Sequence, residues 1–153
     1  MNDYSGIGAI RSLDYVIILC DDLEKMRAFY AELFGFELED DRPGRNASFR
    51  VGTLYLHLRP RGRGYDGPHG PHGPEGSASM QLSFRVPPAD VDLAYETLKA
   101  KDIEVIEGPT NQDWLHRTLF FKDVEGNILE IFADIHPREA AASPSGVHEI
   151  IRA

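Results

Sequence analysis

One carboxylate stands where the hydrophobic pattern leaves little room for it. In Ile128-Leu-Glu-Ile-Phe132, Glu130 sits in the middle of a short apolar run directly after the turn signal Asp123 to Asn127. An ionised carboxylate on a buried strand face is costly unless it is paired, hydrogen-bonded or bound to a cation. Glu130 therefore either faces water from an edge strand or is a functional group that holds a cation, orients a ligand or takes a proton. A second such group is His57, in Leu54-Tyr-Leu-His-Leu58, where aliphatic residues alternate with Tyr55 and His57. Its imidazole titrates near neutrality and serves as acid, base or metal ligand. The plainer alternative is that His57 faces water or an aromatic neighbour. Cys20 closes an apolar strand and reads as a packed thiol rather than a nucleophile.

The elements that must position these groups follow from periodicity. Leu13 to Leu19 is β-branched and aromatic, the composition of a strand. Asp21 and Asp22 offer an N-cap, and Leu23, Met26, Phe29, Tyr30 and Leu33 recur at helical spacing up to Gly35, a left-handed cap. Short strands are expected over Phe36–Glu39, Ala47–Val51 and Leu54–Leu58, with turns at Pro43-Gly44 and Gly52. The same order then repeats: a strand over Met80–Val86, a helix initiated by Pro87-Pro88-Ala89-Asp90, and strands over Ile103–Ile106, Arg117–Lys122 and Ile128–Phe132. The chain is thus an internal tandem repeat. Residues 1–12 form an N-terminal extension, 13–58 and 80–132 two strand-helix-strand-strand-strand modules, 59–79 a linker and 133–153 a tail. The linker carries four prolines and six glycines, a composition expected to form an exposed loop. Its His69 and His72 read as part of a solvated linker rather than as a metal site. The fold class is α+β, with tandem βαβββ modules forming a curved mixed sheet around a central cleft.

Bulk properties exclude several roles. A net charge of −9 opposes nucleic-acid binding, which relies on clustered Lys and Arg. No apolar run approaches the roughly 20 residues that span a bilayer, so no membrane association is expected. Met1 to Ile10 has neither the basic start nor the apolar stretch of a secretory signal. A single cysteine fits a reducing, cytoplasmic setting.

The pattern Asp22-Leu23, Phe29-Tyr30 and Phe34-Gly35-Phe36, closed by Phe121-Lys-Asp-Val-Glu-Gly-Asn-Ile-Leu-Glu130, resembles the vicinal oxygen chelate superfamily, the glyoxalase, bleomycin-resistance and extradiol-dioxygenase proteins. The resemblance spans Leu13 to Phe132. It implies a small-molecule ligand or substrate, a homodimer, and a divalent metal ion (Zn, Ni, Mn or Fe) held by residues of the first and last strands of each module. Glu130 matches the last-strand ligand of the second module, Gln81 the first-strand position of that module, and Tyr15 the first-strand position of the first. The remaining position falls on Leu56 if counted from Gly52, or lets Tyr55 and His57 point inward if the Leu-x-Leu alternation is aligned. The metal candidates are therefore Glu130, Gln81 and His57. Tyr15 is a poor donor, because phenols keep their proton near neutrality. Two functions compete: a metal-dependent glyoxalase-like lyase, isomerase or dioxygenase in which Glu130 and His57 are catalytic, and a non-catalytic protein that sequesters an antibiotic-like small molecule. In either, Tyr15, Tyr55, Gln81, Trp114 and Arg117 are expected to line the ligand, with Trp114 at the rim.

Overall fold

The computed structural model describes residues 5–64, 66 and 80–140. The chain divides into two compact units, Met1–Gly70 and Pro71–Ala153, and each is a four-stranded mixed sheet with one long helix, an α+β architecture. His69, His72 and the tail beyond Ala140 lie outside the described residues. No helix among the described residues is long and apolar enough to cross a membrane.

In the first unit the elements run β1 (Tyr15–Cys20), α1 (Leu23–Phe34), β2 (Glu37–Arg42), β3 (Asn46–Val51) and β4 (Leu54–Pro60), with sheet order β1-β4-β3-β2. Helix α1 starts where Asp22 Oδ1 accepts from Lys25 N at 3.1 Å and stops at Gly35, whose φ of 66° is left-handed. Leu23, Met26 and Tyr30 are its buried face. The buried apolar residues of this unit also include Ile18, Cys20, Phe49, Leu56 and Leu58. Because α1 is a crossover, β1 and β4 pair in parallel, with Tyr15 opposite Tyr55 and Ile17 opposite His57.

The second unit repeats this with β5 (Gln81–Arg85), α2 (Pro88–Ala100), β6 (Val105–Asn111), β7 (His116–Lys122) and β8 (Ile128–Asp134), order β5-β8-β7-β6. Pro88 suits the first turn of α2, where its missing N–H has no helical partner to lose. A short helix, α3 (Pro137–Ala140), comes after β8.

Three boundaries differ from the periodicity. Strand β2 runs on through Asp40, Asp41 and Arg42, polar residues that sequence pattern assigns to a turn. It is an edge strand that can carry them: Asp41 turns toward α1 and receives Arg27 Nε at 2.8 Å. Strand β6 begins later than Ile103 and continues through Gly108-Pro109. Being at the sheet edge, it loses no ladder bond to the proline, and its register shifts around Glu107. Strand β4 absorbs Arg59 and Pro60, which composition places in the linker. Asp66 pins the chain just beyond β4, its carboxylate accepting from Arg59 Nη2 at 2.7 Å and from the backbone N–H of Gly62 and Arg63 at 2.9 and 2.7 Å. These donors, Arg59 first, hold the Asp66 carboxyl well below the usual range.

The hairpin that delivers Glu130 is built on Asp123. Its buried carboxylate accepts from Glu125 N at 2.9 Å, Asn127 N at 3.0 Å and Asn127 Nδ2 at 2.8 Å, and Gly126 supplies the φ of 87° that closes the turn. Asp123→Ala strands these buried donors, so urea denaturation is expected to show a loss of about 3 kcal/mol. An unchanged midpoint would mean the turn is held by something else.

Candidate functional site

Each sheet has one face under its helix and one face without it. In the first unit Asp41, opposite Ala47, reaches α1, so Ala47, Phe49, Leu56 and Leu58 lie on the helix side. The period of two then turns Tyr55 and His57 to the other face together with Tyr15, Ile17 and Ser48. This settles the register left open by the sequence: Leu56 is core, and His57 belongs to the helix-free face. Tyr15 stacks on Tyr55 at 4.9 Å between ring centroids and meets His57 edge-on at 6.2 Å. Arg50 lies over the Tyr55 ring at 4.5 Å and also gives its Nε to Glu39 at 2.6 Å.

His57 is held from behind. Its Nδ1 lies 2.5 Å from Ser48 Oγ, and Ser48 is buried. Partial burial pushes the imidazole below its ordinary pKa; Asp40, opposite Ser48 in the ladder, opposes that, while Arg59 and Arg63 add to it. The result favours a neutral ring with Nε2 as its remaining polar atom. Ser48 and Asp40 were not recognised from sequence, since an isolated serine in an apolar strand carries no signal of its own.

In the second unit the ion pair between Arg117 and Asp92 of α2 marks the helix side. Arg117 donates from Nε at 3.0 Å and from Nη2 at 2.7 Å to Asp92, and from Nη1 to Asn111 at 2.8 Å. Arg117, three residues from Phe120 on β7, is therefore on the opposite face of the sheet from Glu130. Asp92 in turn is held below the usual carboxyl range, chiefly by Arg117.

Glu130 is on the helix-free face. It pairs with Ser83 on β5 and with Phe120 on β7, and Phe120 pairs in turn with Glu107 on β6. Glu130 is 7% exposed, and its carboxylate makes no hydrogen bond or ion pair among the described residues. Gln81 is on the same face, opposite Ile128 and two residues before Ser83, with an exposed side chain. At the other end Phe132 is stacked between His116 at 4.5 Å and Arg85 at 4.7 Å, and both of these reach Asp134. Trp114 sits half-buried in the turn between β6 and β7.

The two registers superimpose the modules residue by residue. Tyr15 faces Tyr55 as Gln81 faces Ile128, so His57 occupies in the first unit the position of Glu130 in the second. By the same count Asp40 corresponds to Glu107, each beside a register shift in its edge strand. The four positions that the resemblance assigns to a metal thus hold a phenol, an imidazole, an amide and a carboxylate. Divalent sites of this kind want three or four imidazole or carboxylate donors. Here two qualify, one in each unit, and the imidazole already engages Ser48 through Nδ1. No three His, Cys, Asp or Glu gather into a metal-holding group among the described residues. This donor set does not fit the family's divalent ion.

Residues 12–131 match the model of the Glyoxalase/Bleomycin resistance protein/Dioxygenase superfamily. A glyoxalase domain-containing protein, RDO1 of Mycosarcoma maydis, is 26% identical over 126 residues, covering 80% of this chain and 68% of that protein. The crystal structure of a glyoxalase/bleomycin resistance protein/dioxygenase from Nocardioides superposes with a TM-score of 0.70 at 24% identity, over 90% of this chain and 89% of that one. Lactoylglutathione lyase from Agrobacterium tumefaciens does so with a TM-score of 0.62 at 22% identity, over 80% and 92%. With its paired modules, their matching registers and a family match that spans both, the chain belongs to the glyoxalase/bleomycin resistance protein/dioxygenase superfamily.

Proposed function

We propose that this chain binds a small organic molecule at the helix-free face of its second sheet, with Glu130 as the group that fixes the ligand, and does so without a family-type divalent ion. One observation carries this reading: Glu130 is a largely buried residue, 7% exposed, whose carboxylate makes no hydrogen bond or ion pair among the described residues and is not sealed from solvent. A carboxylate set in a largely buried residue and not already engaged is placed to accept from a ligand that donates to it. Tyr15 and Tyr55 supply a stacked aromatic surface in the first unit, Tyr15 being 50% exposed. Such a surface with a few polar groups is what small-molecule sites consist of. Sequestration, as in the bleomycin-resistance branch of the family, needs nothing more.

A catalytic version is favoured by His57. A neutral imidazole anchored through Nδ1 is oriented to exchange a proton at Nε2, which suits a lyase or isomerase more than a dioxygenase.

Ligand-free Glu130→Gln is expected to keep the parent's Tm to within about 2 °C, because a carboxylate that is neither paired nor sealed contributes little to the fold. A lower Tm would show that the carboxylate is satisfied in the resting protein and would sink the reading. In metal-stripped protein, titration with nickel, zinc, manganese or iron(II) alone is expected to show no stoichiometric binding that Glu130→Gln removes. Such binding would reinstate the metal enzyme.

The depressed pKa of His57 also has a consequence for stability. The unfolded state, with its histidine near 6.5, binds the proton more readily than the folded state. Stability is therefore untouched at higher pH and declines as pH falls through about 6.5 toward the lower folded value. His57→Gln should flatten that part of a Tm-versus-pH curve; an identical curve would place the titration elsewhere.

A further inference from the structure

The hydrogen bond between Ser48 and His57 has a direction, and that direction decides what His57 can do. Ser48 is 6% exposed, and its Oγ has one hydrogen-bond partner among the described residues, His57 Nδ1 at 2.5 Å. A neutral imidazole carries its proton on one nitrogen and accepts at the other. With the proton on Nδ1, the ring donates to Oγ and the buried serine O–H is left without an acceptor. With Nδ1 bare, the serine donates to it and only hydroxyl lone pairs go unused. A stranded buried donor is the costlier of the two. Asp40, opposite Ser48 in the ladder, does not relieve it. Its two oxygens accept from Arg42 Nε at 3.2 Å and Asn46 Nδ2 at 2.9 Å, and it makes no hydrogen bond to Ser48 or His57.

The proton of neutral His57 therefore sits on Nε2. That atom makes no hydrogen bond among the described residues and is not sealed by them. It shares the helix-free face of the first sheet with Tyr15, whose ring meets the imidazole edge-on at 6.2 Å, and with Ile17, the ladder partner of His57. Tyr15 is 50% and Ile17 46% exposed, so the face is open to a ligand. A neutral imidazole that offers N–H is a hydrogen-bond donor, complementary to an oxygen that carries or develops negative charge.

We propose that Ser48 is a positioning residue that locks His57 as the Nε2–H tautomer, and that His57 thereby donates to the carbonyl or enolate oxygen of a ligand lying on Tyr15 and Ile17. This narrows proton exchange at Nε2 to one sense: the ring presents its N–H to the ligand rather than acting as a base. The proposal rests on the reading that His57 faces a ligand and not on the role of Glu130, since every group in it belongs to the first unit.

Nitrogen NMR of the histidine ring in the unliganded full chain reads the tautomer directly, at pH about 8.5, where an imidazole of pKa near 6.5 is neutral. His57 is assigned by the loss of its signals in His57→Gln. The unaltered protein is expected to show a protonated Nε2 and a bare Nδ1. Ser48→Ala removes the lock, so the two nitrogen signals should move toward each other as tautomers mix. Ser48→Thr keeps the hydroxyl and should restore the separation, whereas a merely structural serine leaves the ring signals where they were. The ligand class is read with 4-hydroxyacetophenone against 4-ethylphenol, which has the same shape without the ketone oxygen. The ketone should bind about tenfold tighter, the worth of one net hydrogen bond, and should move the Nε2 signal. Ser48→Ala should reduce that advantage while leaving ethylphenol affinity unchanged. A proton on Nδ1 in the unaltered protein, ring signals unmoved by Ser48→Ala, equal binding of the two phenols, or no ketone binding at millimolar concentration overturns the proposal. None of these outcomes bears on Glu130, whose own test is separate.

Discussion

The parallel ladder between the first and last strand of each unit is the constraint on which the site depends. A helix that crosses from β1 to β2, or from β5 to β6, at the opposite edge of its sheet, must cover one face of that sheet. Side-chain alternation then divides every strand into a helix-side set and an opposite set. In β4 this sends Leu56 and Leu58 into the core and Tyr55 and His57 out of it; in β8 it sends Leu129 and Ile131 under α2 and Glu130 to the other side. A one-residue slip in either ladder would bury the imidazole or the carboxylate against a helix. The Asp123 turn and Gly52, with its φ of 60°, are what hold the register at the entry to each last strand.

Ionic pairs stand on both sides of that division: Arg27 with Asp41 and Arg117 with Asp92 on the helix sides, and Arg50 with Glu39 on the Tyr55 side of the first sheet. Among the described residues, one oxygen of Glu107, on the helix-free face of the second sheet, is buried without a hydrogen-bond partner. Natural folds concentrate such local costs where function requires them. The first sheet handles the same positions differently. There Ser48 closes on His57, and Asp40 is occupied by Asn46 and Arg42, so this half presents an oriented imidazole beside stacked tyrosines rather than open carboxylates. Repetition of one module has produced two faces of unlike chemistry from the same backbone register.

Much of this is legible in the residue pattern. The α+β repeat, both long helices, the caps at Asp22 and Gly35, and the oddity of Glu130 all come from local periodicity, turn chemistry and the cost of a charge among apolar neighbours. These are properties of contiguous residues, so the sequence by itself determines them. What it could not determine depends on strand pairing. Whether Leu56 or His57 shares the position of Glu130, which face Arg117 takes, and that Ser48, Asp40 and Glu107 stand beside the candidate groups are all matters of register between segments far apart in the chain. Bulges at β2 and β6 shift that register by residues no local signal marks, and edge strands accept Asp40, Asp41 and Pro109 because only one side needs a partner. Sequence named the carboxylate; tertiary pairing decided its neighbours, because the alternation of each strand has meaning only once its partner is fixed.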